Sequence, residues 1–181
     1  MTTTIDSPVL IMITGLPGTG KTTLAKALAT QLNVPHLNSD KLRVDMGMRG
    51  RYDITSKTKV YDELISKVST TLANSQAVVV DATMYKMALR NRFHRLAVKS
   101  NLPIAWIETK AEESIIEQRV AHSRPYSEAD YDVYQKIKAS YEPLEGNYLT
   151  LHTDQLTLVE MISRSVDYIN LVLNQSFYAG Q

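Results

Sequence analysis

Residues Gly15-Leu16-Pro17-Gly18-Thr19-Gly20-Lys21-Thr22 occupy every fixed position of the pattern G-x-x-x-x-G-K-[ST]. That spacing suits one task, holding the phosphate chain of a nucleotide. Gly15, Gly18 and Gly20 lack Cβ atoms, so the backbone can turn successive N–H groups inward around an anion. Lys21 offers a mobile positive charge to the β- and γ-phosphates, and the Thr22 hydroxyl can coordinate Mg²⁺. The helix expected from about Lys21 to Leu32 points the positive end of its dipole at the same place. The nucleotide-binding set is therefore Gly15, Gly18, Thr19, Gly20, Lys21, Thr22 and Thr23.

A carboxylate with the same destination stands at Asp81, the end of the apolar run Val78-Val79-Val80. This is the Walker-B form, and it pairs with Thr22 as the expected Mg²⁺ site. The next residue is Ala82 rather than the glutamate that activates water in many ATP-driven machines. No Asn-Lys-x-Asp guanine-reading sequence is present. What remains is transfer of a phosphoryl group to an acceptor other than water. Such transfer needs a base for the acceptor and cations to spread charge. Asn38-Ser39-Asp40-Lys41-Leu42-Arg43 offers both, with Asp40 and Arg43 three apart on one helical face. Two readings fit this pair. Either Asp40 takes a hydroxyl proton while Arg43 grips an anion, or Ser39 or Asp40 caps a helix and Arg43 balances its charge.

The elements that must position these residues alternate along the chain. Apolar runs at 9–13, 34–37, 77–80, 104–107 and 148–151 read as strands. Helical spacing covers about 21–32, 39–46, 56–73, 85–99, 112–121, 128–141 and 156–173. The stretch Met46 to Tyr52, with two glycines, reads as a mobile loop. The pattern predicts a single α/β domain over 1–181, a five-stranded parallel sheet with helices on both faces. Residues 1–8 and 175–181 are expected to be flexible. Ligands in such sheets sit at the carboxyl ends of the strands. The loop at Gly15, the residues past Leu37, and Asp81 all fall there.

Composition narrows the surroundings. The 181 residues carry twenty Lys and Arg against nineteen Asp and Glu, so no global field draws the protein to nucleic acid or membrane. Cysteine is absent, which removes disulfides, thiol nucleophiles and Cys-ligated zinc. The four histidines show no metal-ligand spacing. With no signal-peptide pattern and no apolar run of about 20 residues, a cytoplasmic protein without membrane contact is expected.

Taken together, Gly15 to Thr22, Ser39-Asp40-x-x-Arg43, Val80-Asp81-Ala82-Thr83 and the arginines near Arg119 to Pro125 resemble one family. It is the small P-loop kinases related to the 5′-kinase domain of phage polynucleotide kinase, with zeta-type toxins as more distant relatives. The resemblance runs from about Val9 to Leu144. It implies the P-loop NTPase fold, ATP and Mg²⁺, a general-base role for Asp40 and a phosphate contact for Arg43. It also implies a lid near 119–128 whose Arg119 and Arg124 reach the phosphates or the base. Arg90 is the helix arginine that the resemblance favours for an anionic substrate. Thr83 departs from the pattern, which tends to carry an amide there. The acceptor implied is a hydroxyl: a polynucleotide 5′ end, a nucleoside or a small molecule. An ATP-gated binding module, or a weak ATPase without an acceptor, is the alternative from a different class.

Overall fold

The computed structural model describes residues 5, 7–74, 77–122 and 126–179, the last four without side chains. The strands are β1 (Leu10–Thr14), β2 (His36–Asn38), β3 (Val78–Asp81), β4 (Ile104–Lys110) and β5 (Leu149–His152). Among the described residues the helices are α1 (Lys21–Leu32), α2 (Ser39–Asp45), α3 (Ile54–Ala73), α4 (Met87–Lys99), α5 (Glu113–Val120), α6 (Tyr131–Ala139) and α7 (Leu158–Ala179). All five strands are parallel, in the order β2-β3-β1-β4-β5. The expected α/β sheet is present.

Because side chains alternate across a strand, β1 feeds two cores. Ile11 and Ile13 face α1 and α7 together with Val79, Ala105, Ile107 and Leu151. Leu10 and Met12 face α3 and α4 with Val78, Val80, Phe93 and Trp106. Both faces of the sheet are thus covered, which explains why its strands read as continuous apolar runs. A small third cluster, Ile116, Val120 and Tyr134, joins α5 to α6 beside the P-loop.

Strand register sets the site. Ile13 pairs with Asp81, Asn38 pairs with Asp81, and Thr14 pairs with Glu108. Strands β2 and β3 lie on one side of β1, and β4 and β5 on the other. The carboxyl end of β1 therefore opens where the connections diverge, the usual ligand crevice of such sheets.

Several boundaries differ from the sequence reading. Strand β4 runs three residues further, to Lys110, because Thr109 and Lys110 pair with β5 and support the P-loop. Helix α6 begins at Tyr131, since Asp130 caps it by accepting from Val133 N at 2.9 Å. Helix α3 begins at Ile54, where Asp53 accepts from Ser56 N at 2.9 Å. Helix α7 continues to Ala179, so much of the C-terminal stretch expected to be flexible is helical.

Leu28 is fully buried between α1 and the sheet. Leu28→Ala should lower unfolding free energy by about 2–5 kcal/mol, measured by urea denaturation. A loss below about 1 kcal/mol would mean that α1 is not packed as described.

Candidate active site

The P-loop, Leu16 to Gly20, is shaped by contacts on its outer side. Gly15 has φ +144°, and a Cβ there would stand 2.4 Å from the Thr109 carbonyl oxygen on β4. Only glycine permits that approach. Thr19 is buried, donates from Oγ1 to Leu16 O at 2.7 Å, and shares a hydrogen bond with Thr109 Oγ1 at 2.8 Å. Gly15 and Thr19 therefore build the loop and do not line the cavity it borders; Gly18, Gly20, Lys21, Thr22 and Thr23 do.

Gly20 is the N-cap of α1 at φ 88°, and no side chain caps the helix. The first-turn N–H groups are thus left for an anion, at the positive end of a twelve-residue helix. Lys21 Nζ donates to Leu16 O at 3.0 Å, holding its ammonium over the loop. These features fit a phosphate chain.

Behind the P-loop, Asp81 is buried at the end of β3. Burial alone would raise its carboxyl, but the His36 imidazole, the Lys21 charge and the Thr22 and Asn38 donors together hold it below its ordinary value. Asn38 Nδ2 is the closest donor, 2.5 Å from Asp81 Oδ2. His36 Nε2 lies 3.6 Å away, longer than a normal hydrogen bond. The Asn38 amide also lies 3.4 Å from Thr22 Oγ1, while its Oδ1 accepts from Lys41 N at 2.7 Å and caps α2. The backbone N–H of Lys41 demands the oxygen, which fixes the way the amide faces. One side chain thus joins β3, the P-loop helix and α2. Among the described residues no group of three or more His, Asp or Glu could hold a metal. Thr22 and Asp81 fit Mg²⁺ only in its usual manner, through few protein ligands, waters and phosphate oxygens.

Across the same cavity lie Asp40, Arg43, Tyr52, Tyr61, Thr83 and Tyr85. Asp40 is half-buried. Arg43 is buried, donates from Nη1 to Arg51 O at 2.6 Å, and lies 4.6 Å from the centre of the Tyr52 ring. Its guanidinium is thus committed partly to the following loop rather than held only for a phosphate. That loop differs from expectation. Turns close it through Met48 N to Arg43 O and Arg51 N to Met48 O. Glu128 then ties it across the cavity rim, accepting from Gly50 N at 2.8 Å, Tyr52 Oη at 3.0 Å and Arg49 Nε at 3.4 Å. Burial and the Glu128 hydrogen bond push the Tyr52 hydroxyl up to about 12.

The remaining arginines separate. Arg119 bonds from Nη1 to Thr153 Oγ1 at 2.8 Å and Gly18 O at 3.3 Å, and from Nη2 to Thr153 O at 3.2 Å. It links the P-loop to the end of β5, on the side away from Asp40. Arg124 lies outside the described residues. Arg90, the helix arginine favoured for a substrate contact, is buried and donates to Met84 O and Pro143 O, both at 2.8 Å. It holds two chain segments together, because its position on α4 faces the core. Arg92, two residues on, lines the cavity instead and is hydrogen-bonded to Asp62. Sequence reasoning missed Asn38 as a bridge and Glu128 as a clamp. The first was signalled by a cap residue just before Ser39; the second had no local signal.

Fold and site together define a P-loop nucleotide-binding protein. The chain belongs to the AAA domain family AAA_33, whose model matches residues 10–144. It is 27% identical over 178 residues to a protein named "Probable adenylyl-sulfate kinase" from Aeropyrum pernix, covering 93% of this chain and 96% of the relative. It is 25% identical over 190 residues to a cytidylate kinase of Sulfurisphaera tokodaii, covering 93% and 99%. Its fold resembles a gluconokinase from Sinorhizobium meliloti, with TM-score 0.72 and 17% identity over 96% of this chain and 99% of that one.

The depressed Asp81 carboxyl has a consequence for acid stability. The native state stays ionised where the unfolded chain protonates, so Asp81 contributes stability above the ordinary carboxyl range and loses it as pH falls through its native value. Asp81→Asn should flatten this part of the acid limb in denaturation midpoints measured from pH 6 to pH 2. An unchanged acid limb would contradict the assignment.

Proposed function

We propose that this protein is a kinase that moves the γ-phosphoryl group of ATP to the hydroxyl of an acceptor bound near Asp40. The observation that carries the reading is that the uncapped P-loop helix and Asp40 line one cavity of about 1210 Å³. Pockets that hold one drug-sized ligand measure about 300–1,000 Å³, so a cavity of this size has room for a nucleotide with a second, smaller molecule. The kinase names of relatives that span nearly the whole chain support the reaction class. Their names imply different acceptors, so they leave the acceptor to be argued from this chain.

Each residue has a distinct task in this reading. The N–H groups of the P-loop and the Lys21 ammonium hold the phosphates and offset the negative charge of the transferred group. Thr22 and Asp81 would hold Mg²⁺, which would supply neutralisation of the phosphate charge. Asp40 accepts the acceptor's hydroxyl proton as the oxygen bonds to the γ-phosphorus and the bond to ADP breaks. Arg43 steadies the loop carrying Tyr52 and adds positive potential beside Asp40. Arg119 braces the P-loop against Thr153 on the nucleotide side. Ala82, standing where many ATP-driven machines carry a water-activating glutamate, favours the acceptor over water.

With γ-labelled ATP and a panel of alcohols, Lys21→Ala should lower kcat by about 10²–10³-fold. Asp40→Asn should keep ATP binding within about twofold while losing about 10²–10⁴-fold in transfer. Normal transfer by the Asp40→Asn protein would remove the base from Asp40. Tight ATP binding by the wild type with no label on any alcohol would favour an ATP-gated binding module instead.

A further inference from the structure

The acceptor side of the cavity carries a cation that the reaction as described does not use. Lys57 lies in the first turns of α3, half-buried, and lines the cavity with Ile54 and Tyr61 of the same helix. Lys57 and Tyr61 are four residues apart and share one helical face. Tyr61 is buried and donates to Thr83 O at 3.2 Å, and burial with the nearby Asp40 charge pushes its hydroxyl up. Tyr61 thus marks the Asp40 end. Lys57 stands just over one helical turn from it, about 6 Å along the axis.

Some cations on or beside these helices are neutralised, whereas Lys59 of α3 is not but is exposed outside the cavity. Lys67 pairs with Glu63, Lys86 with Glu142 and Arg92 with Asp62. Lys57 makes no ion pair among the described residues; its Nζ lies 5.8 Å from the centre of the Tyr85 ring. Nearby, Arg43 Nε is buried without a hydrogen-bond partner. Of the acidic groups lining the cavity, Glu128 is spent on Gly50, Tyr52 and Arg49. With Arg92 paired to Asp62 and Glu128 to Arg49, Lys57 and Arg43 face the carboxylate of Asp40, which leaves a positive balance here, between tyrosine rings. Such a chamber repels polycationic alcohols and attracts anions with an apolar body.

Resting on the kinase reading above, we propose that the acceptor is a small anionic alcohol whose carboxylate or phosphate is held by Lys57, about one helical turn from the hydroxyl presented to Asp40. The Glu128 bonds to Gly50 and Tyr52 join the two rims of the cavity, which suits a compact molecule rather than a polynucleotide strand. Lys57 is a specificity residue in this account: it selects and positions the acceptor and takes no part in moving the proton.

The test is direct binding to the full-length protein saturated with a non-hydrolysable ATP analogue and Mg²⁺, so that the P-loop is filled. Titrations of D-glycerate, glycerol 3-phosphate and inorganic phosphate separate carboxylate from phosphate recognition, and glyceramide is the uncharged control. The wild type should hold one equivalent of at least one anion and not glyceramide. Lys57→Ala should weaken that binding at least tenfold and Lys57→Arg by less than about threefold, with affinity for the analogue unchanged in both. An anion site insensitive to Lys57→Ala, or no saturable anion site beside the bound analogue, overturns the proposal while leaving the kinase reading to the labelled-ATP experiment. Failure of the analogue itself to bind would overturn the nucleotide site and this proposal with it.

Discussion

The buried Asp81 carboxylate is the joint on which the rest of the site depends. It stands at the end of β3, between β1, which launches the P-loop, and β2, which launches α2. A lone buried carboxylate is costly, and here hydrogen bonds and the Lys21 charge compensate it. Those compensating groups are Thr22 and Lys21 from the P-loop helix, and His36 and Asn38 from β2. Solving one buried charge therefore fixes the two halves of the cavity relative to each other. Asn38 is the shared element, since its amide serves Asp81 while its oxygen starts the helix bearing Asp40 and Arg43.

Around this joint, two braces set the limits of the cavity. On the nucleotide side, Thr153 donates to Thr19 O at 2.9 Å and accepts from Arg119, so β5, α5 and the P-loop move together. At the Asp40 end, Glu128 fastens the loop after α2 to the segment before α6. The first brace is partly buried and the second exposed. The Glu128 contacts are accordingly the weaker pair, because exposed charged hydrogen bonds contribute little in water.

Much of this could be read from the residues, for physical reasons that are local. The P-loop pattern is a run of contiguous residues whose backbone does the work, so spacing alone identifies it. Alternating apolar runs and helical periodicity report the covered sheet, and Asp81 follows its strand directly. What escaped depends on partners far apart in the chain. Arg90 and Arg92 look equivalent in sequence, yet a rotation of two positions on α4 turns one to Pro143 and the other to the cavity. The loop from Met46 to Tyr52 reads as mobile because its restraint, Glu128, lies more than seventy residues away. Arg43 was legible as a cation near Asp40, but its bond to Arg51 O needed the fold.

The most direct test of the account is a ³¹P NMR time course of the unaltered protein with ATP, Mg²⁺ and a mixture of small hydroxy acids and sugar alcohols. The account predicts a new phosphate-ester resonance growing in step with ADP, with little inorganic phosphate. Loss of ATP only to inorganic phosphate, at the same rate with or without the alcohols, would contradict it.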